Sequence, residues 1–145
     1  MKKAAYFLII PALILFLAGP TWAEGATQDE VTAKCQEAAK YIRDNGIDAA
    51  IKTIGNKRGP FVWKDTYVFL MNMDGKMLAH PIKPQLTEQE NLLQVKDTAG
   101  KPLFVEFVEV ANSKGKGWVD YMWPKPGQDA TAQSAAARVD GSTAG

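Results

Sequence analysis

The sequence predicts an α+β protein, a long N-terminal helix followed by an antiparallel sheet. Three observations carry that prediction. Thr27-Gln28-Asp29-Glu30 matches a helix capping box and leads into apolar residues at helical spacing. Thr66–Asn72 is rich in β-branched and aromatic residues, and Asp74-Gly75 behind it marks a tight hairpin. Trp118–Trp123 reads as a further strand after a Gly-Lys-Gly stop.

The elements follow in order. Val31, Cys35, Ala38, Ala39 and Ile42 form the apolar stripe of the first helix, and Asn45-Gly46 is a C-cap signal. Ile47, Ala50, Ile51 and Ile54 continue on one face until Gly55–Pro60 stops them, so a long helix with a break at Gly46 is expected. Cys35 on that stripe reads as a small buried hydrophobe. Lys76–His80 is the returning arm of the hairpin, ended by Pro81. Leu92, Leu93 and Val95 give the following connection an apolar side, and Asp97–Gly100 is a turn. Phe104, Phe107, Val108 and Ala111 fall at helical spacing after Pro102, which suits a first turn. A strand is the rival there, but alternation would mix Glu106 with apolar residues, and the helix separates them better. In the last strand, alternation places Val119, Tyr121 and Trp123 on one face. The segment 128–145 is rich in Ala, Gln, Ser, Thr and Gly, with Val139 its one large apolar residue, and is expected to be disordered.

Residues 1–23 read as a signal peptide rather than as part of the fold. Lys2 and Lys3 precede the apolar run Ala4–Ala18, and Thr21-Trp22-Ala23 offers a small-residue cleavage site. Cleavage after Ala23 would send the rest to the periplasm or outside the cell. Uncleaved, the segment would act as a membrane anchor, and after cleavage no stable membrane span is expected. The predicted organisation is therefore signal peptide 1–23, one domain over 24–127 and a tail over 128–145.

Composition narrows the function. The chain has 145 residues with 17 Lys+Arg against 16 Asp+Glu, too balanced for a nucleic-acid binder. One Cys and one His exclude an internal disulfide and a protein-ligated zinc site of the usual kind. No catalytic residue, metal or cofactor is expected, because no nucleophile has a base beside it in any known pattern.

Gly59-Pro60-Phe61-Val62-Trp63-Lys64-Asp65-Thr66-Tyr67-Val68-Phe69, then Asp74-Gly75 with Leu78-Ala79-His80-Pro81, then Asn91-Leu92-Leu93 and Asp97-Thr98-Ala99-Gly100-Lys101, then Gly117-Trp118-Val119-Asp120-Tyr121-Met122-Trp123-Pro124-Lys125-Pro126 run in order along the chain. Together they resemble single Cache domains of the second subtype. The resemblance implies a PAS-like antiparallel sheet with a long N-terminal helix, acting as an extracytoplasmic sensor of small organic anions, often short carboxylates. It implies a chemoreceptor or sensor kinase as partner, and pocket residues on the central strands: Tyr67, His80, Tyr121 and Trp123. Lys125, just beyond Tyr121 and Trp123 and of the same parity, is the first candidate cation, and Lys83 a weaker one. The family's closing strands have only a trace here, Arg138-Val139, so the sheet is expected to lack them and leave an edge open. The alternative function is an interaction module that recruits an envelope protein or sensor kinase by strand addition at that edge.

Overall fold

In the computed structural model, residues 25–124 and 133–141 are described, the segment 133–140 by its backbone. The signal-like segment 1–23 and Lys125 lie outside the described residues.

Helix α1 (Gln28–Asn45) starts on the expected capping box: the Glu30 N–H donates to Thr27 Oγ1 at 3.2 Å and the Thr27 N–H donates to Glu30 Oε2 at 2.9 Å. Lys64 Nζ donates to both Glu30 oxygens at 2.7 and 2.8 Å, and the Ala26 N–H donates to Asp65 Oδ1 at 2.8 Å. The start of the helix is thus tied to the turn at Lys64-Asp65, where Lys64 itself has φ 48°. Gly46 breaks the helix at φ 84°, and α2 (Ile47–Ile54) continues beyond it. Cys35 is half-buried rather than buried.

The expected single strand Thr66–Asn72 is split. Its first part, β2 (Thr66–Tyr67), pairs antiparallel with β1 (Val62–Trp63), and its second, β3 (Leu70–Met71), pairs with β4 (Met77–Ala79). A register shift between Leu70 and Met71 marks a bulge. Asn72 holds the hairpin turn, its Oδ1 accepting from the Asp74 and Lys76 N–H groups at 3.1 and 2.9 Å. A 3₁₀ turn (Pro84–Glu88) and the crossing segment then dock on that hairpin, where Lys76 Nζ donates to the Thr87 and Gln89 carbonyls.

Gly75 is where this docking is tightest. Its φ is 85°, and a Cβ there would lie 2.6 Å from Leu93 Cγ. Gly75→Ala should therefore destabilise by about 1–3 kcal/mol from backbone strain alone, with the clash in addition. A urea titration checks this; an unchanged midpoint would mean the crossing segment does not press on the turn.

Helix α3 (Leu103–Lys114) confirms the helical choice for the Phe-Val-Glu stretch, and Gly115 ends it with φ 71°. Strand β5 (Lys116–Trp123) follows directly. The expectation of a disordered tail is corrected over part of its length: Gln133–Asp140 forms strand β6, antiparallel to β5 from Lys116↔Asp140 to Trp123↔Gln133, and among the described residues these two strands pair only with each other. Eight consecutive backbone pairs hold the segment in place, a source of order that local composition does not reveal. On β5, Asp97 Oδ2 accepts from the Met122 N–H at 2.8 Å, while its Oδ1 accepts from the Ala99 and Lys101 N–H groups at 2.9 Å each. These bonds hold the Asp97 carboxyl below its usual pKa and clamp the 97–101 turn to the strand.

Two apolar clusters form the core. One joins Ala38, Ala50, Ile54, Phe61 and Ala79, under α1 and α2. The other joins Met77, Leu86, Leu92, Leu103, Phe104, Phe107 and Val119, under α3 and β5. β4 contributes to both through Ala79 and Met77, so the hairpin links the two halves.

Candidate functional site

A cleft with about 210 Å³ of empty space, part of it open solvent, lies between the hairpin, α3 and β5. Tyr67 and Phe69 reach it from β2 and the segment after it, Met77 from β4 and His80 from just beyond β4. Leu103, Phe104 and Phe107 come from α3, and Tyr121 and Trp123 from β5. The parity of β5 explains the last pair: Val119 is buried, and Tyr121 and Trp123 follow it on the same face at intervals of two. No Asp or Glu is among these wall residues.

The aromatic rings form a continuous set. Phe107 contacts Phe69, Phe104 and Tyr121 at centroid distances of 5.7, 5.8 and 5.5 Å. Tyr67 and Phe69 lie 4.9 and 5.9 Å from the His80 ring, the latter stacked at 13°. Stacked, tilted and edge contacts of this kind fix ring orientations as well as burying area.

His80 is 3% exposed, and its Nδ1 accepts from the Ile82 and Lys83 N–H groups at 3.3 and 3.0 Å. An imidazole that accepts at Nδ1 carries its proton on Nε2, so the ring is a neutral Nε2–H donor. Burial, with the Lys83 charge adding to it, lowers the His80 pKa to about 4, which keeps that state through the physiological range. Burial raises Tyr67 to about 12 against an opposing hydrogen bond from the Trp123 indole N–H. Burial and the neighbouring Tyr67 raise Tyr121 as well. Both phenols therefore stay protonated and can donate. The cleft thus offers neutral donors in an apolar, largely aromatic surround.

Four of the five sequence-predicted residues, Tyr67, His80, Tyr121 and Trp123, line this one cleft; Lys125 lies outside the described residues. Sequence reasoning did not assign Met77, Leu103, Phe104 or Phe107 to it. The helical stripe of α3 was visible, but a stripe marks a buried face without saying that part of it borders a cleft. Lys83 sits at the rim, its Nζ 4.3 Å from the centroid of the Trp123 ring.

The family model for Single Cache domain 2 matches residues 23–141. The chain belongs to the single Cache domain 2 family. Its match includes β6, so this Cache domain extends past the boundary at 127 expected from sequence. The methyl-accepting chemotaxis protein McpP of Pseudomonas putida is 38% identical over 63 residues, a stretch covering 43% of this chain and 11% of that receptor. A solved periplasmic sensor domain of a chemotaxis protein is 25% identical with a TM-score of 0.57, over 76% of this chain and 77% of its own. A Cache chemosensory domain solved for the structural basis of its carboxylic acid recognition is 25% identical with a TM-score of 0.52, over 74% and 73%. A methyl-accepting chemotaxis protein from Vibrio parahaemolyticus shares the fold, with a TM-score of 0.61 at 22% identity over 74% of each chain. The Cache fold, mixed helix and antiparallel strand with a long N-terminal helix, is that of extracytoplasmic sensor domains. Among the described residues, no helix is long and apolar enough to cross a membrane.

Proposed function

We propose that this Cache domain binds a small organic acid as its carboxylate, outside the cytoplasmic membrane, and reports it to a chemoreceptor or sensor kinase. The observation that carries the reading is that His80, with its proton on Nε2, and the protonated Tyr67 and Tyr121 line one cleft with no acidic wall residue. Hydrogen bonds from neutral donors to a carboxylate are charge-assisted and stronger than neutral pairs. Phe104, Phe107, Leu103 and Met77 would receive the apolar part of the ligand. The carboxylic-acid-binding Cache relative supports the same ligand class. Export through the leader-like segment 1–23, with cleavage after Ala23, agrees with the extracytoplasmic setting of the family.

The test is thermal unfolding with a panel of acetate, propionate, pyruvate and lactate. An acid at about one hundred times its dissociation constant should stabilise by roughly 2.7 kcal/mol, a rise of several degrees. A cooperative melt that no acid shifts would sink the proposal. β6 covers one edge of β5, so in the interaction-module reading a partner would add at another edge of this two-stranded pair.

A further inference from the structure

Lys83 is a cation held at the cleft's rim by the same histidine that lines its wall. The Lys83 N–H donates to His80 Nδ1, so the His80 ring fixes the start of the Lys83 side chain. The side chain then lies back over Trp123, a wall residue, with Nζ 4.3 Å from the ring centroid. None of the ion pairs among the described residues involves Lys83, whereas Lys34, Lys40, Lys64 and Lys101 each face a carboxylate. Partial burial lowers its pKa, the mark of an ammonium that has lost water without gaining an anion. An aromatic face is a weaker partner for such a charge than a carboxylate.

We propose that Lys83 is the cation that pairs with the carboxylate bound in the cleft, exchanging the Trp123 face for the anion when the ligand enters. The inference rests on the carboxylate-binding reading and deepens it. His80 contributes twice, as a neutral donor in the cleft wall and by anchoring Lys83 from Nδ1. The flexible four-carbon stem lets the ammonium swing from the indole toward the anion without moving the backbone. The arrangement gives a cleft of neutral donors a preference for acids over neutral isosteres of the same shape.

Calorimetric titration with propionate tests this on the wild type, Lys83→Met, Lys83→Arg and Lys125→Gln. Removing the charge should weaken binding about 10- to 150-fold, the range of a lost charge-assisted hydrogen bond. Lys83→Arg should stay within a few-fold of wild type, and the unliganded melting temperature of Lys83→Met should hardly move. Lys83→Met binding as tightly as wild type would overturn the inference, as would loss confined to Lys125→Gln. A second measurement needs no variant: propionate should slow acylation of the Lys83 amine, mapped by mass spectrometry, and equal labelling with and without bound propionate would overturn the inference. Wild type that binds neither propionate nor any acid of the panel would bring down the carboxylate reading itself, and this inference with it. Wild type that binds while Lys83→Met is unaffected removes Lys83 alone.

Discussion

Phe107→Ala should be among the most damaging single substitutions in the domain, costing about 3–5 kcal/mol. Phe107 is 4% exposed and stands at the meeting point of Phe69, Phe104 and Tyr121. Truncation removes the ring's transfer free energy and leaves a cavity that three other rings, each fixed by its own neighbours, cannot fill. In a domain of this size that loss lowers the melting temperature by roughly 10–25 °C. The same deletion opens the cleft, because Phe107 is one of its walls. Phe107→Leu should retain much of the stability and shift preference toward a slightly longer acid. Circular-dichroism melts check the stability, and titration with a series of acids of rising chain length checks the preference. A drop of only a few degrees for the alanine variant would show that α3 does not seat on β5 through this ring.

Stability should fall as pH drops from about 6.5 to about 4, and His80 is the cause. Its folded pKa, about 4, lies below the unfolded value of about 6.5. Between those values the unfolded chain binds the proton and the folded one does not, so unfolding takes up a proton and acid favours it. At 1.36 kcal/mol per pH unit the full difference comes to about 3 kcal/mol, present above pH 6.5 and gone below pH 4. Ligand binding should be flat between pH 6 and 8, where the imidazole stays a neutral donor. The chain has one His, so a nuclear magnetic resonance titration of its ring follows the transition without overlap. Asp97, whose carboxyl is held low by three backbone N–H groups, adds a separate acid sensitivity at lower pH. A ring that titrates near 6.5 in the folded protein would refute the buried, doubly accepting geometry.

Much of this was legible in the chain. The capping box at Thr27, the break at Gly46 and the Asp74-Gly75 hairpin are local signals, read by the few residues that form them. The choice of helix over strand for Phe104–Ala111 also held, because separating Glu106 and Glu109 from the apolar face outweighs β-propensity once the segment packs on one side. Tyr121 and Trp123 share a strand parity, and the family resemblance groups Tyr67 and His80 with them. Two features were not legible. The split of Thr66–Asn72 depends on the positive φ at Lys64 and on a bulge at Leu70, which composition does not encode. Strand β6 is built from residues with little strand preference and takes its order from β5, a partner elsewhere in the sequence.

That last strand also touches α1, the first helix of the domain, besides pairing along β5. The beginning and end of the fold therefore meet, and the architecture closes only once residue 140 has left the ribosome. At synthesis rates of about 5–20 residues per second, the growing polypeptide spends seconds without its final partner. Under the export proposed above, a translocation machinery would meet an unfinished chain, and completion would wait for the far side.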